Sequence, residues 1–173
     1  DQERINVLYK ELEFFSLLRE LVPVEAGATV EQVALRTPAE VAAALPGLRA
    51  AGTVAVVPLL DSVRATAAHL TALALAPPAG PVSVLAAPGE PGVLAALAPL
   101  LGDLAVGKVG SDLKALRVAL ARHGIGLAGP SFDLALASYC LNPSRGEHGI
   151  DGLAEELLGE PRVEGGDPAA AAC

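Results

Sequence analysis

Two glycine-rich stretches carry the residue types and spacings that could do chemistry in this chain. Gly102-Asp103-Leu104-Ala105-Val106-Gly107-Lys108 follows the opening of a P-loop. In that motif backbone N–H groups and the lysine hold phosphates, and a following Ser or Thr holds magnesium. Here Val109 follows, and the glycines are expected to flank a strand, so the stretch reads as structural. Gly124-Ile125-Gly126-Leu127-Ala128-Gly129 has the dinucleotide spacing GxGxxG. That fingerprint needs a strand before it and a helix after it, so that a helix N-terminus meets the pyrophosphate. This copy is expected to follow a helix and to run into Pro130, which reads as a helix C-cap and turn. No GxSxG nucleophile elbow and no CxxC pair is present, and His69, His123 and His148 stand apart from one another.

The elements that must position any site are written in an unusual alphabet. The chain has 173 residues, 52% of them apolar, with 34 Ala and 29 Leu but no Met and no Trp. Such a chain can bury a core, which excludes a disordered acidic tail. No apolar run is long enough to span a membrane uninterrupted. The formal net charge is −8, which opposes autonomous binding to a phosphate backbone. Cys140 and Cys173 are too few and too separated for a disulfide framework, so a reducing cytoplasm is the expected compartment. The chain starts at Asp1 without any methionine and is expected to be a piece of a longer protein.

Ile5, Leu8, Leu12, Phe15 and Leu18 recur at helical spacing, which predicts a helix over 3–21 that wants a partner surface. Pro23 ends it, and a linker follows to residue 29. Thr37-Pro38-Ala39-Glu40 predicts a capped helix start, with a helix to about residue 50. Thr53–Pro58 reads as a buried strand, and 69–76 and 81–87 as an antiparallel hairpin. Beyond Pro91, Leu94, Leu97 and Leu101 predict a helix, and 104–109 a strand. Ser111 is expected to cap a helix carrying Leu113, Leu116 and Leu120. Ser131 is expected to cap another, with Phe132, Leu136, Tyr139 and Cys140 on its buried face. Asp151 opens a last helix with Leu153, Leu157 and Leu158. The order predicts an α/β architecture with a mixed central sheet flanked by helices.

Several segments, in order, resemble one family, the 3′–5′ exonuclease (proofreading) domain of bacterial DNA polymerase I. Leu8 to Leu18 is similar to the helix preceding that domain. Lys108-Val109-Gly110-Ser111-Asp112-Leu113-Lys114 resembles its second exonuclease motif. Gly124-Ile125, then Phe132 to Asn142 and His148 to Ala154, continue the likeness. It covers most of the chain and is most specific over residues 108–158. The resemblance implies a ribonuclease H-like fold. It divides the chain into an upstream helix and linker (1–29), an exonuclease-like domain (30–160) and a Gly/Pro/Ala-rich tail (161–173).

The family's chemistry needs carboxylates that hold two divalent metals to activate water and stabilise the leaving oxygen. The resemblance places its Asp-x-Glu motif at Val57 and Leu59, and the aspartate of its second motif at Leu116. Its Tyr-x-x-x-Asp motif is not found before Cys173. Asp61 lacks an acid at 59 or 63, and Asp112 and Asp133 suit helix starts. The expectation is a catalytically inactive domain with no metal cofactor, supporting the polymerase domain of its parent chain in DNA replication and repair. DNA would be met through the parent protein, with Lys108, Lys114 and Arg117 the weak candidates for direct contact. Phe132 and Tyr139 are expected to be buried and unavailable for base stacking. Two alternatives stand beside this reading. One is a divergent, active exonuclease using Mg²⁺ or Mn²⁺ on DNA 3′ ends. The other is a protein-interaction module using the first helix.

Overall fold

A computed structural model describes residues 4, 5, 8, 31–62, 64, 66–86 and 92–158, without the side chains of 155 and 158. The linker, the tail from residue 159 and most of the first helix lie outside these residues. Arg4, Ile5 and Leu8 are helical.

Six strands form one sheet in the order β1-β4-β3-β2-β5-β6: β1 (Gln32–Ala34), β2 (Thr53–Leu60), β3 (Leu70–Ala76), β4 (Val82–Ala86), β5 (Gly107–Gly110) and β6 (Pro130–Asp133). β3 pairs antiparallel with β2 and β4, and the remaining ladders are parallel. Five strands therefore end at one edge of the sheet and β3 alone runs against them. The expected hairpin is present, with Leu73 opposite Leu85 and Ala74 opposite Val84.

Among the described residues from 31 onward the helices are α1 (Pro38–Ala50), α2 (Val93–Ala96), α3 (Ala98–Leu101), α4 (Leu113–Ala121), α5 (Leu134–Leu141) and α6 (Ile150–Leu158). The Thr37–Glu40 capping box forms as its spacing predicts. The Glu40 amide donates to Thr37 Oγ1 at 3.2 Å, and the Thr37 amide donates to Glu40 Oε2 at 3.0 Å. The Arg36 amide, which also donates to Glu40 Oε2, is the largest influence holding the Glu40 carboxyl below its usual range, and the Thr37 amide is next.

Period two divides the core between the faces of the sheet. Val54, Val56, Leu73, Leu75 and Leu85 belong to the larger cluster, with α1 to α4 packed over it. The alternate residues Val57, Ala74, Ala76 and Val82 form a smaller cluster on the other face. Leucine supplies the volume on the helix-covered face, and Ala and Val fill the other. At Gly110 a Cβ would lie 2.6 Å from the Val56 carbonyl oxygen and 2.8 Å from Leu113 Cδ2. That close approach seats the end of β5 against β2 and the start of α4.

Three helix boundaries differ from expectation. The apolar stretch after Pro91 breaks into two short helices, α2 and α3, around Leu97. Asp112, not Ser111, caps α4, accepting from the Ala115 amide at 3.1 Å. Ser131 lies inside β6, and Asp133 caps α5. The expectation that Phe132, Leu136, Tyr139 and Cys140 are buried is also overturned, since all four are exposed. Helical spacing reports a shared stripe but not a cover for it, and α5 lies beside the edge strand β6.

Candidate functional site

The parallel strands end at a common edge, where ligands of open α/β sheets bind. The residues at this edge come from the ends of β2, β5 and β6 and from the first turns of α4 and α5. At β2 the side chains are apolar. Val57 is buried in the smaller cluster, and Leu59 is half-buried opposite Ala72, just before a register shift at Leu60. Leu116, in the second turn of α4, is completely buried in the larger cluster. Val57 and Leu116 thus lie in separate apolar clusters on the two faces of the sheet.

The acids nearest these positions have backbone partners. Asp61 follows β2, and its Oδ1 accepts the His69 amide at 2.7 Å. That bond, first among several contacts with His69, holds the Asp61 carboxyl below its usual range. Asp112 follows β5 at φ 54° and is the only non-glycine residue with positive φ among the described residues. Aspartate tolerates this left-handed conformation because its short side chain can bond locally, as Asp112 does in capping α4. Asp133 ends β6 and serves two helices. Its Oδ2 accepts the Leu113 amide at 2.8 Å; its Oδ1 accepts those of Ala135 at 3.0 Å and of Asp112 and Leu136 at 3.2 Å. One carboxylate meets the positive ends of α4 and α5 together. Among the described residues no group of three or more His, Cys, Asp or Glu side chains could hold a metal ion.

Residues 94–163 match the family described as DNA polymerase I, ribonuclease H-like domain. The fold is also similar to the structure titled POL domain of Pol1 from M. smegmatis in complex with DNA primer-template and dNTP. The TM-score is 0.70 at 27% identity, covering 82% of this chain and 25% of that one. The chain thus spans about a quarter of the length of that relative. Trypanosoma brucei RNase D matches with a TM-score of 0.64 at 17% identity, over 84% of this chain and 56% of the other. The EXD2 exonuclease domain matches at 0.51 and 20% identity, over 80% and 75%. At these identities the last two likenesses concern the fold alone, and both agree with the ribonuclease H-like architecture.

Within this ribonuclease H-like domain the expected basic contacts divide. Lys114 and Arg117 are exposed on α4. Lys108 is not available at the surface, because the alternation of β5 turns it inward. It is only 1% exposed, and its ammonium donates to the Asp103 carbonyl. Burial pushes its pKa down, nearby Asp103 acts in the opposite direction, and Arg49 adds to the lowering. The two glycine motifs are structural. Gly102 caps α3 and Gly107 opens β5, so the P-loop-like stretch leads into a strand. Gly124, at φ 70°, ends α4 in a Schellman turn. There the Ile125 amide reaches the Leu120 carbonyl at 3.1 Å and the Gly124 amide reaches Ala121 at 3.0 Å.

The histidines have separate partners. His148 Nδ1 lies 2.8 Å from the buried Ser138 Oγ, and its ring meets Tyr139 edge-on with centroids 5.6 Å apart. His123 is exposed. The double cap at Asp133 escaped the sequence analysis. Its signal was an aspartate directly before the apolar run Leu134–Leu141, but the link to α4 depends on β5 and β6 lying side by side.

Proposed function

We propose that this ribonuclease H-like domain lacks 3′–5′ exonuclease activity and supports the polymerase module of a DNA polymerase I in cytoplasmic DNA replication and repair. DNA is met through that longer protein, and the domain itself needs no metal. The observation that carries this reading is the aliphatic character of Val57, Leu59 and Leu116, where the family resemblance locates metal-binding carboxylates. Magnesium and manganese take oxygen ligands, and these three side chains have none.

The residues at the edge do not fit the family's metal pair in two further respects. Val57 and Leu116 are buried in separate clusters. Asp112 and Asp133 already receive backbone N–H donors that fix helix ends. Recruiting either acid to a cation would release amides of α4, and for Asp133 those of α5 as well. A role in spacing and support is consistent with a domain that keeps its sheet, caps and core while the β2 end of its edge is aliphatic and the acids at β5 and β6 cap helices.

The test uses single-stranded DNA labelled at its 5′ end, incubated with the folded chain and Mg²⁺ or Mn²⁺. The expected result is an unchanged ladder relative to a metal-only control. Stepwise shortening from the 3′ end, lost on chelation, would overturn the proposal and favour an active exonuclease with ligands elsewhere.

A further inference from the structure

Beyond the strand-edge site, Asp61, His69 and Arg122 tie three distant parts of the chain together. Asp61 closes β2, His69 precedes β3, and Arg122 caps the end of α4. The Asp61 and His69 backbones also pair, with the Asp61 amide donating to the His69 carbonyl at 3.1 Å. Asp61 Oδ2 lies 3.1 Å from His69 Nδ1, and Arg122 Nη1 lies 3.0 Å from His69 Nε2. Arg122 Nη2 donates to the Thr66 carbonyl within the same β2–β3 connection.

The direction of each bond follows from its donors. A guanidinium has N–H groups and no acceptor, so His69 Nε2 must accept from Arg122. Neutral imidazole then carries its proton on Nδ1 and donates it to Asp61, which must be ionised to accept both that proton and the backbone amide. We infer that Asp61, His69 and Arg122 form a pH-sensitive latch between the end of α4 and the β2–β3 connection, in which the Arg122–His69 tie holds only while His69 is neutral and the Arg122–Thr66 tie remains when it is lost.

Protonation places a second N–H on Nε2, facing the guanidinium. The Arg122 bond is lost and two cations are brought together, while the Asp61 contact persists. Among the described residues, Asp61 from the β2 end and Arg122 from the α4 end are the charged groups hydrogen-bonded to the His69 ring. His123, next to Arg122, is the neighbouring group whose titration must be separated from it.

Nitrogen-detected NMR on the 173-residue chain tests the latch. Neutral His69 is expected as the Nδ1–H tautomer. Acidification through its titration is expected to shift the Arg122 side-chain resonances and to increase severalfold the opening equilibrium, from amide exchange corrected for intrinsic pH dependence, at residues 121–123. His69→Gln should remove that acid dependence and His123→Gln should retain it. An Nε2–H tautomer for neutral His69, or an acid dependence unchanged in His69→Gln, would overturn the latch.

Discussion

The end of β2 and the ends of β5 and β6 lie along one edge of the same sheet, yet they are built on opposite principles. At β2 the edge is aliphatic, with Val57 buried and Leu59 half-buried. At β5 and β6 it is acidic, with Asp112 and Asp133 receiving backbone amides. The difference separates having acids from having a metal site. A metal-binding carboxylate needs free lone pairs converging with those of its neighbours. The acids of β5 and β6 instead complete hydrogen bonds that helix ends would otherwise lack.

The comparison breaks most sharply if an acid is returned to an aliphatic position. Leu116→Asp places a carboxylate in a fully buried position of the larger core. With no partner there, the charge and the lost packing are expected to cost about 4 kcal/mol. Urea denaturation should show a large fall in midpoint, and the variant should bind no manganese by calorimetry. Leu59→Asp, at a half-buried position, should cost much less. Comparable costs for the two would mean that Leu116 is not the packed residue described above.

The reverse change, removing an acid from the β6 side, gives the next largest effect. Asp133→Ala leaves amides of both α4 and α5 without their acceptor. Two lost caps at about 1–2 kcal/mol each give an expected destabilisation of about 2–4 kcal/mol. Asp112→Ala removes one cap and also loses the residue that tolerates a positive φ, so the Asp133 loss is best judged against Thr37→Ala on α1. A fall in stability no larger than for Thr37→Ala would show that Asp133 caps a single helix.

Much of this contrast is legible in the sequence. The Thr37 cap, the hairpin and the α/β order follow from local spacing, and all three form as expected. The partition of apolar residues between two faces follows from strand alternation. What local spacing lacks is knowledge of neighbours. It placed Phe132, Leu136 and Tyr139 on one stripe but assigned that stripe a cover, and all three are exposed. It took Ser131 for a cap because Ser suits one, although pairing with β5 draws residues 130–133 into a strand. It treated Lys108 as a surface cation, although a short strand between β2 and β6 turns alternate residues inward.

Lys108 gives the smallest expected effect and the most direct comparison between a buried cation and the acids beside it. Its ammonium has the Asp103 carbonyl as partner, which offsets part of its desolvation. Lys108→Met removes that bond together with the buried charge, and its net effect at neutral pH is expected to be within about 1 kcal/mol. The pH dependence is more telling. Burial lowers the native-state pKa of Lys108 from 10.5, so between the native value and 10.5 the unfolded chain holds more protons. Stability from this group therefore rises with pH across that window. It is fully present above 10.5 and is lost as pH falls through the native value. Chemical denaturation of the wild-type chain and Lys108→Met from neutral to alkaline pH should show the wild type gaining relative to the variant. A constant difference across that range would mean that the ammonium is solvated in the folded state and that β5 does not enclose it.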